Sequence, residues 1–330
     1  MDRISGTLPS KISGRPILAP HRQSKSTMQF AFPAARPRHR RVAATLAFMA
    51  ALGPAFALPA AAETRVRARY AVSVAGFDIG TATMQTGIGT STYDINLSVR
   101  MSGLVKFITG GKAAATSRGS YGEARVVPAA YAINTRAKDK GQVIRFALAG
   151  GSVRQLSVEP PPKPNSNVIP VTEADKRNIV DPLSAVMMPV SGGGDPLSEK
   201  ACDRTLPVFD GRQRYDVALR YDRMETAKPD TSENADPNAK GNYEGKLVVC
   251  RASYKAIAGH RPDKDNVKFM ENNKEMEVWM APVAGTRALM PWKISVRTQY
   301  GLAVITATSF VVDEGKVGQG KAGGGKGVDL

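Results

Sequence analysis

Arg65-Val-Arg-Ala-Arg-Tyr-Ala-Val-Ser-Val74 interleaves small or apolar residues with polar ones. A period of two sends alternate side chains to opposite faces of an extended chain, the pattern of a half-buried β-strand. Gly76-Phe-Asp-Ile-Gly80 reads as a turn and Thr81-Ala-Thr-Met-Gln-Thr86 as the returning strand, so this region opens on a hairpin. The same pattern predicts strands at Tyr93–Met101, Ala115–Tyr121, Ala129–Thr135, Val143–Ala149 and Val153–Val158.

Glu159-Pro-Pro-Pro-Lys-Pro-Asn165 stops the pattern. Proline cannot donate to a ladder, so this stretch is an extended connection. Asp181 can cap a helix, Pro182 suits its first position, and Leu183–Met188 gives a short helix before Pro189. Ser191-Gly-Gly-Gly-Asp195 is a flexible loop leading to Cys202. Strands resume at Thr205–Phe209, with Asp210-Gly211 as a hairpin turn and Gln213–Tyr221 as the return. Lys228–Gly245, nearly without apolar residues, reads as a long exposed loop. Lys246–Tyr254, Met276–Met280, Ile294–Tyr300 and Ala303–Val312 complete the strands, with Gly301 in the last turn. The expected fold is mainly β: a single-domain curved antiparallel sheet forming an open barrel or spiral, with one or two short helices.

Upstream lies a basic cluster, Arg36-Pro-Arg-His-Arg-Arg41, then an uncharged apolar run from Val42 to about Phe56, then Ala60-Ala-Ala-Glu63. This order is that of an export signal cleaved after Ala62. The run is shorter than the ~20 residues a membrane span needs. A start at Met28 would put the basic cluster near the amino end, which makes residues 1–27 a mis-called start. The expected division is a signal peptide over 1–62, a β-rich domain over 63–313 and a disordered Gly/Lys tail over 314–330. The expected location is the periplasm, with a soluble protein after cleavage.

The chain carries 46 Lys and Arg against 29 Asp and Glu, a formal charge of +17. Nine of those basic residues and one acidic residue precede Glu63, leaving 37 and 28, or +9. Export removes most nucleic-acid partners. The remaining charge favours anionic envelope partners, such as lipid head groups or wall polymers, by diffuse attraction. It equally suits a surface that is merely kept soluble. Oligomeric state leaves no signature.

Cys202 and Cys250 are the only cysteines. Two cysteines in an exported chain most often pair, so a disulfide is expected. Its loop of about fifty residues is worth roughly 4 kcal/mol in the chain-entropy description. A redox motif would need Cys-x-x-Cys, and a metal site would need several His and Cys. His260 is the only histidine after the signal and sits in Ala258-Gly-His-Arg-Pro262, an expected exposed loop. No Gly-x-Ser-x-Gly elbow occurs, and Gly324-Gly-Lys-Gly327 lacks the Ser/Thr and helix of a phosphate loop. Asp210 and Asp216 could serve carboxylate chemistry, which needs no sequence motif. Turn formation already explains Asp210, and capping explains Asp181. No catalytic residue, metal ligand or cofactor is assigned.

Trp279 and Trp292 can line a cavity or pack a core. In Ser102-Gly-Leu-Val-Lys-Phe-Ile-Thr-Gly-Gly111, Leu104, Val105, Phe107 and Ile108 form an apolar cluster bounded by glycines. It suits either a flap beside a ligand groove or a short buried element. The candidate ligand-binding residues are therefore Leu104, Phe107, Trp279 and Trp292.

Five features occur in order: Tyr70 to Gly80, Asp181-Pro-Leu-Ser-Ala185, Cys202 to Arg212, Cys250 to Gly259, and Trp279 to Gly301. With the export signal, this order resembles the exported bacterial domain of unknown function 3108 family over nearly the whole chain after Ala62. The resemblance implies no activity and transfers no catalytic residue. By fold analogy it implies a likeness to lipoprotein carriers, in which a curved sheet wraps an apolar groove.

The leading functional expectation is a periplasmic, non-enzymatic protein of envelope maintenance that binds an apolar or amphipathic ligand: a lipid, lipoprotein or peptide. A continuous apolar cavity would favour it. A fully packed core would favour a structural or interaction protein of the envelope. Two convergent buried carboxylates in a cleft would favour a carboxylate-dependent hydrolase.

Overall fold

A computed structural model describes residues 63–102, 111–122, 125–138, 140–227 and 243–314. The first seven strands form a meander: β1 (Thr64–Val74), β2 (Phe77–Ile88), β3 (Thr92–Met101), β4 (Lys112–Gly122), β5 (Arg125–Ala137), β6 (Lys140–Ala149) and β7 (Ser152–Glu159). A connector follows and contains the two-residue strand β8 (Met188–Pro189). A second meander comprises β9 (Arg204–Phe209), β10 (Arg214–Thr226), β11 (Lys246–Ala258), β12 (Met276–Pro282), β13 (Ala288–Thr298) and β14 (Gly301–Asp313). One α-helix, α1 (Asp265–Glu271), lies between β11 and β12 among the described residues.

All strands join one antiparallel sheet in the order β7-β6-β5-β4-β3-β2-β1-β14-β13-β12-β11-β10-β9, with β8 pairing to β13 off this path. The two meanders meet in the middle, where β1 pairs with β14 from Arg65↔Asp313 to Val74↔Ala303. The outermost strands do not pair with each other among the described residues, so the sheet is not closed into a barrel. Its ends nevertheless touch through side chains. The rings of Phe146 on β6 and Phe209 on β9 lie 5.7 Å apart.

The first half follows its alternation. Val66, Ala68 and Tyr70 of β1 are buried while Arg65, Arg67 and Arg69 are exposed. Met84, Tyr93, Ile95, Tyr131 and Phe146 extend the buried face across β2 to β6. The second half differs at β11, which is covered on both faces. Leu247, Val248, Val249 and Cys250 of β11 are buried in succession. Leu247 and Val249 join the core of the first half, whereas Val248 and Cys250 join a second cluster with Met280, Leu289 and Cys202. A strand covered on both faces reads as an unbroken apolar run.

The expected disulfide is present: Cys202 and Cys250 are bonded, with Cα atoms 5.4 Å apart. It fastens the end of the connector to β11. Three local expectations are corrected. The first turn is only Ala75-Gly76, both with positive φ, so β2 begins at Phe77 and not beyond Gly80. Residues 183–188 give one 3-10 turn, Ser184–Val186, because Met188 and Pro189 are drawn into a ladder with β13. The last hairpin strand starts earlier than Ile294, at Ala288, and crosses Pro291 at a register shift.

Candidate functional site

The connector fills the inside of the first half. Ile179, Val180, Leu183 and Met187 are buried against that core. Its polar centre is Asp181, which is fully buried. Asp181 Oδ1 accepts the backbone N–H groups of Leu183 and Ser184, each at 2.9 Å. Oδ2 accepts the hydroxyls of Ser117 on β4, at 2.9 Å, and of Ser184. With the Ser184 proton committed to Asp181, the Tyr93 phenol on β3 donates to Ser184 Oγ at 2.6 Å. Burial pushes the Asp181 carboxyl up, against the opposing pull of these hydrogen bonds. The cluster is a latch between connector and sheet, with every oxygen of the carboxylate engaged.

The second half leaves open space. Its strands β9, β10, β12 and β13 form, with the connector, an apolar groove of about 280 Å³. The floor follows the strand period: Met276, Val278 and Met280 from β12, Tyr215, Val217 and Leu219 from β10, and Leu206 and Val208 from β9. Pro182, Ala185, Val186 and Met188 of the connector line its near wall, and Met270 of α1 adds a methionine. Tyr215 and Tyr254 both line the groove, their rings 5.3 Å apart. Among the described residues neither phenol has a hydrogen-bond partner, and burial pushes both upward in pKa. The groove can therefore hold an apolar body and offer two neutral hydroxyls to a polar end.

Other features spend their polar groups internally. A larger depression of about 990 Å³ includes Arg287, but its guanidinium donates to the carbonyls of Val190, Ser191 and Gly194. Asp210 Oδ1 accepts the N–H groups of Arg212 and Gln213, closing its turn. Asp216 pairs with Arg214 at 2.7 Å. Neither carboxylate lines the groove or this depression. Among the described residues no group of three or more His, Cys, Asp or Glu could hold a metal ion. No helix among them is long and apolar enough to cross a membrane.

A family model described as a protein of unknown function, DUF3108, matches residues 69–308. The chain belongs to the DUF3108 family. No curated protein matches. Among solved structures it is similar to a β-barrel-like protein of domain of unknown function DUF1849 from Brucella abortus, at 8% identity and a TM-score of 0.36. That match covers 77% of this chain and 98% of the other.

The motifs that carried the family resemblance turn out to be structural nodes of the DUF3108 domain. Tyr70 is buried and its phenol donates to the carbonyl of Pro291 at 2.8 Å. Asp181 and Ser184 form the latch. Gly259 has φ +78, and a Cβ there would lie 2.0 Å from the carbonyl oxygen of Arg212. His260 corrects the expectation of an exposed loop. It is buried, and its backbone carbonyl accepts the N–H of Ile169 of the connector at 2.9 Å.

Of the expected ligand residues, Leu104 and Phe107 lie outside the described residues. Trp279 is buried on the face of β12 opposite to Val278 and Met280, and does not line the groove. Its indole N–H donates to Glu225 at 2.8 Å, and Lys293 sits 4.3 Å from its ring centroid. Trp292 is half-buried against the larger core, also away from the groove lining. The tyrosine pair was missed. A signal existed in the alternation of Tyr215-Asp-Val-Ala-Leu219, but alternation alone does not say which face stays open.

Proposed function

We propose that this DUF3108 protein is an exported, non-enzymatic binder of an apolar or amphipathic envelope ligand held in the β9–β13 groove. The observation that carries the reading is the apolar groove that these strands form with the connector. Apolar surface left open to water costs about 25 cal/mol per Å² relative to burial. A ligand of matching character recovers that energy. The unpartnered phenols of Tyr215 and Tyr254 favour an amphipathic ligand, whose polar end they would bind. The export signal at 36–62 and the Cys202–Cys250 disulfide support an oxidising envelope compartment as the place of action.

Native mass spectrometry of protein purified from the periplasm tests both parts. The expected species has the mass of a chain beginning at Glu63 plus an apolar adduct released by detergent. The same protein should bind the apolar dye N-phenylnaphthylamine, and Val278→Glu should weaken that binding at least tenfold. A dye affinity unchanged by Val278→Glu would move binding away from the groove and overturn the reading.

A further inference from the structure

Phe77 and Tyr300 are the two most exposed large apolar side chains among the described residues, at 75% and 83%. They occupy the tips of two hairpins, β1–β2 and β13–β14. Those tips are neighbours, because Ala75 N–H donates to the carbonyl of Leu302 across the β1–β14 seam. Register places a row of cations at the same end of the sheet. Arg100 on β3 lies directly opposite Lys112 on β4, which lies directly opposite Arg136 on β5. Arg100 is also opposite Thr81, four residues along β2 from Phe77, or about 13 Å at strand rise.

This row is costly by itself, since like charges directly opposite one another destabilise a sheet. All three cations are exposed and border a depression of about 670 Å³ with Ser98, Asn134 and Gln142. Glu159 also borders it, and lies 3.9 Å from Arg145. Lys138 and Lys140 at the β5–β6 turn add basic residues at this end. Exposed aromatic tips beside three cations with no ion-pair partner among the described residues match a lipid surface whose interface takes the rings and whose head groups neutralise the charges.

We propose that this end of the sheet docks peripherally on an anionic lipid surface. Phe77 and Tyr300 enter the interface, and Arg100, Lys112 and Arg136 contact phosphate head groups. The inference rests on the sheet end and stands whether or not the groove is occupied.

Protein purified from the exported fraction is sedimented with vesicles of phosphatidylcholine alone and of an equimolar mixture with phosphatidylglycerol. Binding is expected to the mixed vesicles only. Each cation near such a surface is worth about a fivefold change in partitioning, so Arg100→Ser/Lys112→Ser should weaken binding by about thirtyfold. Arg118→Ser/Arg125→Ser removes the same charge toward the opposite end of β4 and β5, and should change binding less than about threefold. Phe77→Trp should show blue-shifted emission on mixed vesicles. The Arg100→Ser/Lys112→Ser protein should melt no lower than wild type at low salt, which excludes misfolding as the cause. Equal losses in the two double variants would reduce the effect to diffuse attraction and overturn the proposal. So would displacement from vesicles by equimolar inorganic pyrophosphate, which would assign the row to a soluble phosphate ligand. Retention on an anionic polysaccharide without vesicle binding would likewise overturn it.

Discussion

Replacing Asp181 removes the acceptor for four donors at once. In Asp181→Ala the N–H groups of Leu183 and Ser184 and the hydroxyls of Ser117 and Ser184 lose their partner. The two hydroxyls are 2.8 Å apart and can satisfy one another in part. Three orphaned donors then remain in a fully buried site. At ~1–1.5 kcal/mol for each of the three, the cost is about 3–5 kcal/mol. For a domain of this size that lowers Tm by roughly 6–20 °C. Asp181→Asn keeps one acceptor oxygen for the two backbone N–H groups and should cost less. The pH dependence separates the physical terms. Because burial raises the carboxyl in the folded state, the folded form holds its proton where the unfolded form has lost it. The stability this contributes is complete below the ordinary carboxylate value near ~3.9 and is lost as pH rises through the folded value. Asn has no such loss, so the advantage of wild type over Asp181→Asn should shrink as pH rises from about 4. Urea denaturation of both proteins across that range decides it. An advantage that grows with pH would mean that the hydrogen bonds outweigh burial, and would refute this account of the latch.

Cys202→Ala should lower stability by about 4 kcal/mol, the chain-entropy value for a closure of 48 residues, read from the urea midpoint against wild type. Gly259→Ala should cost more than ~2 kcal/mol, because φ +78 is strained for alanine and its Cβ would collide with the Arg212 carbonyl; an unchanged melting temperature would contradict the geometry. Tyr254→Phe should leave apolar dye binding intact while weakening retention of an amphipathic ligand with a hydroxyl-seeking end, measured by displacement of the dye.

The strands were legible where one face is buried and the other wet. Val66, Ala68 and Tyr70 alternate with three arginines, and that is enough to orient β1. Asp181 was legible as a cap, since the bonds to Leu183 and Ser184 are local. Its burial was not, because Ser117 lies 64 residues earlier in the chain and only the folded sheet brings it there. Helix α1 was missed because Asp265–Glu271 has no side-chain cap and buries no residue. Trp279 shows the limit most clearly. Alternation says that it opposes Val278 and Met280, but whether a face meets the core or an open groove depends on the connector. That layer is distant in sequence and irregular in form.

One connector decides the character of both halves. It is pinned at Val180, whose N–H and carbonyl bond to Pro207 and Phe209 of β9. It is pinned again at Asp181 and Ser184 to β3 and β4, at Met188–Pro189 to β13, and at Cys202 to β11. Between the first and third of these pins, Leu183 and Met187 turn into the first half and fill it, while Pro182, Ala185, Val186 and Met188 face the groove. A chain with a two-sided task cannot relax toward one side without disturbing the other. The buried latch thus fixes the near wall of the groove as well as the core. Loosening it in Asp181→Ala should weaken dye binding even at temperatures where the protein is still folded. Asp181→Asn, with the turn intact, should keep both.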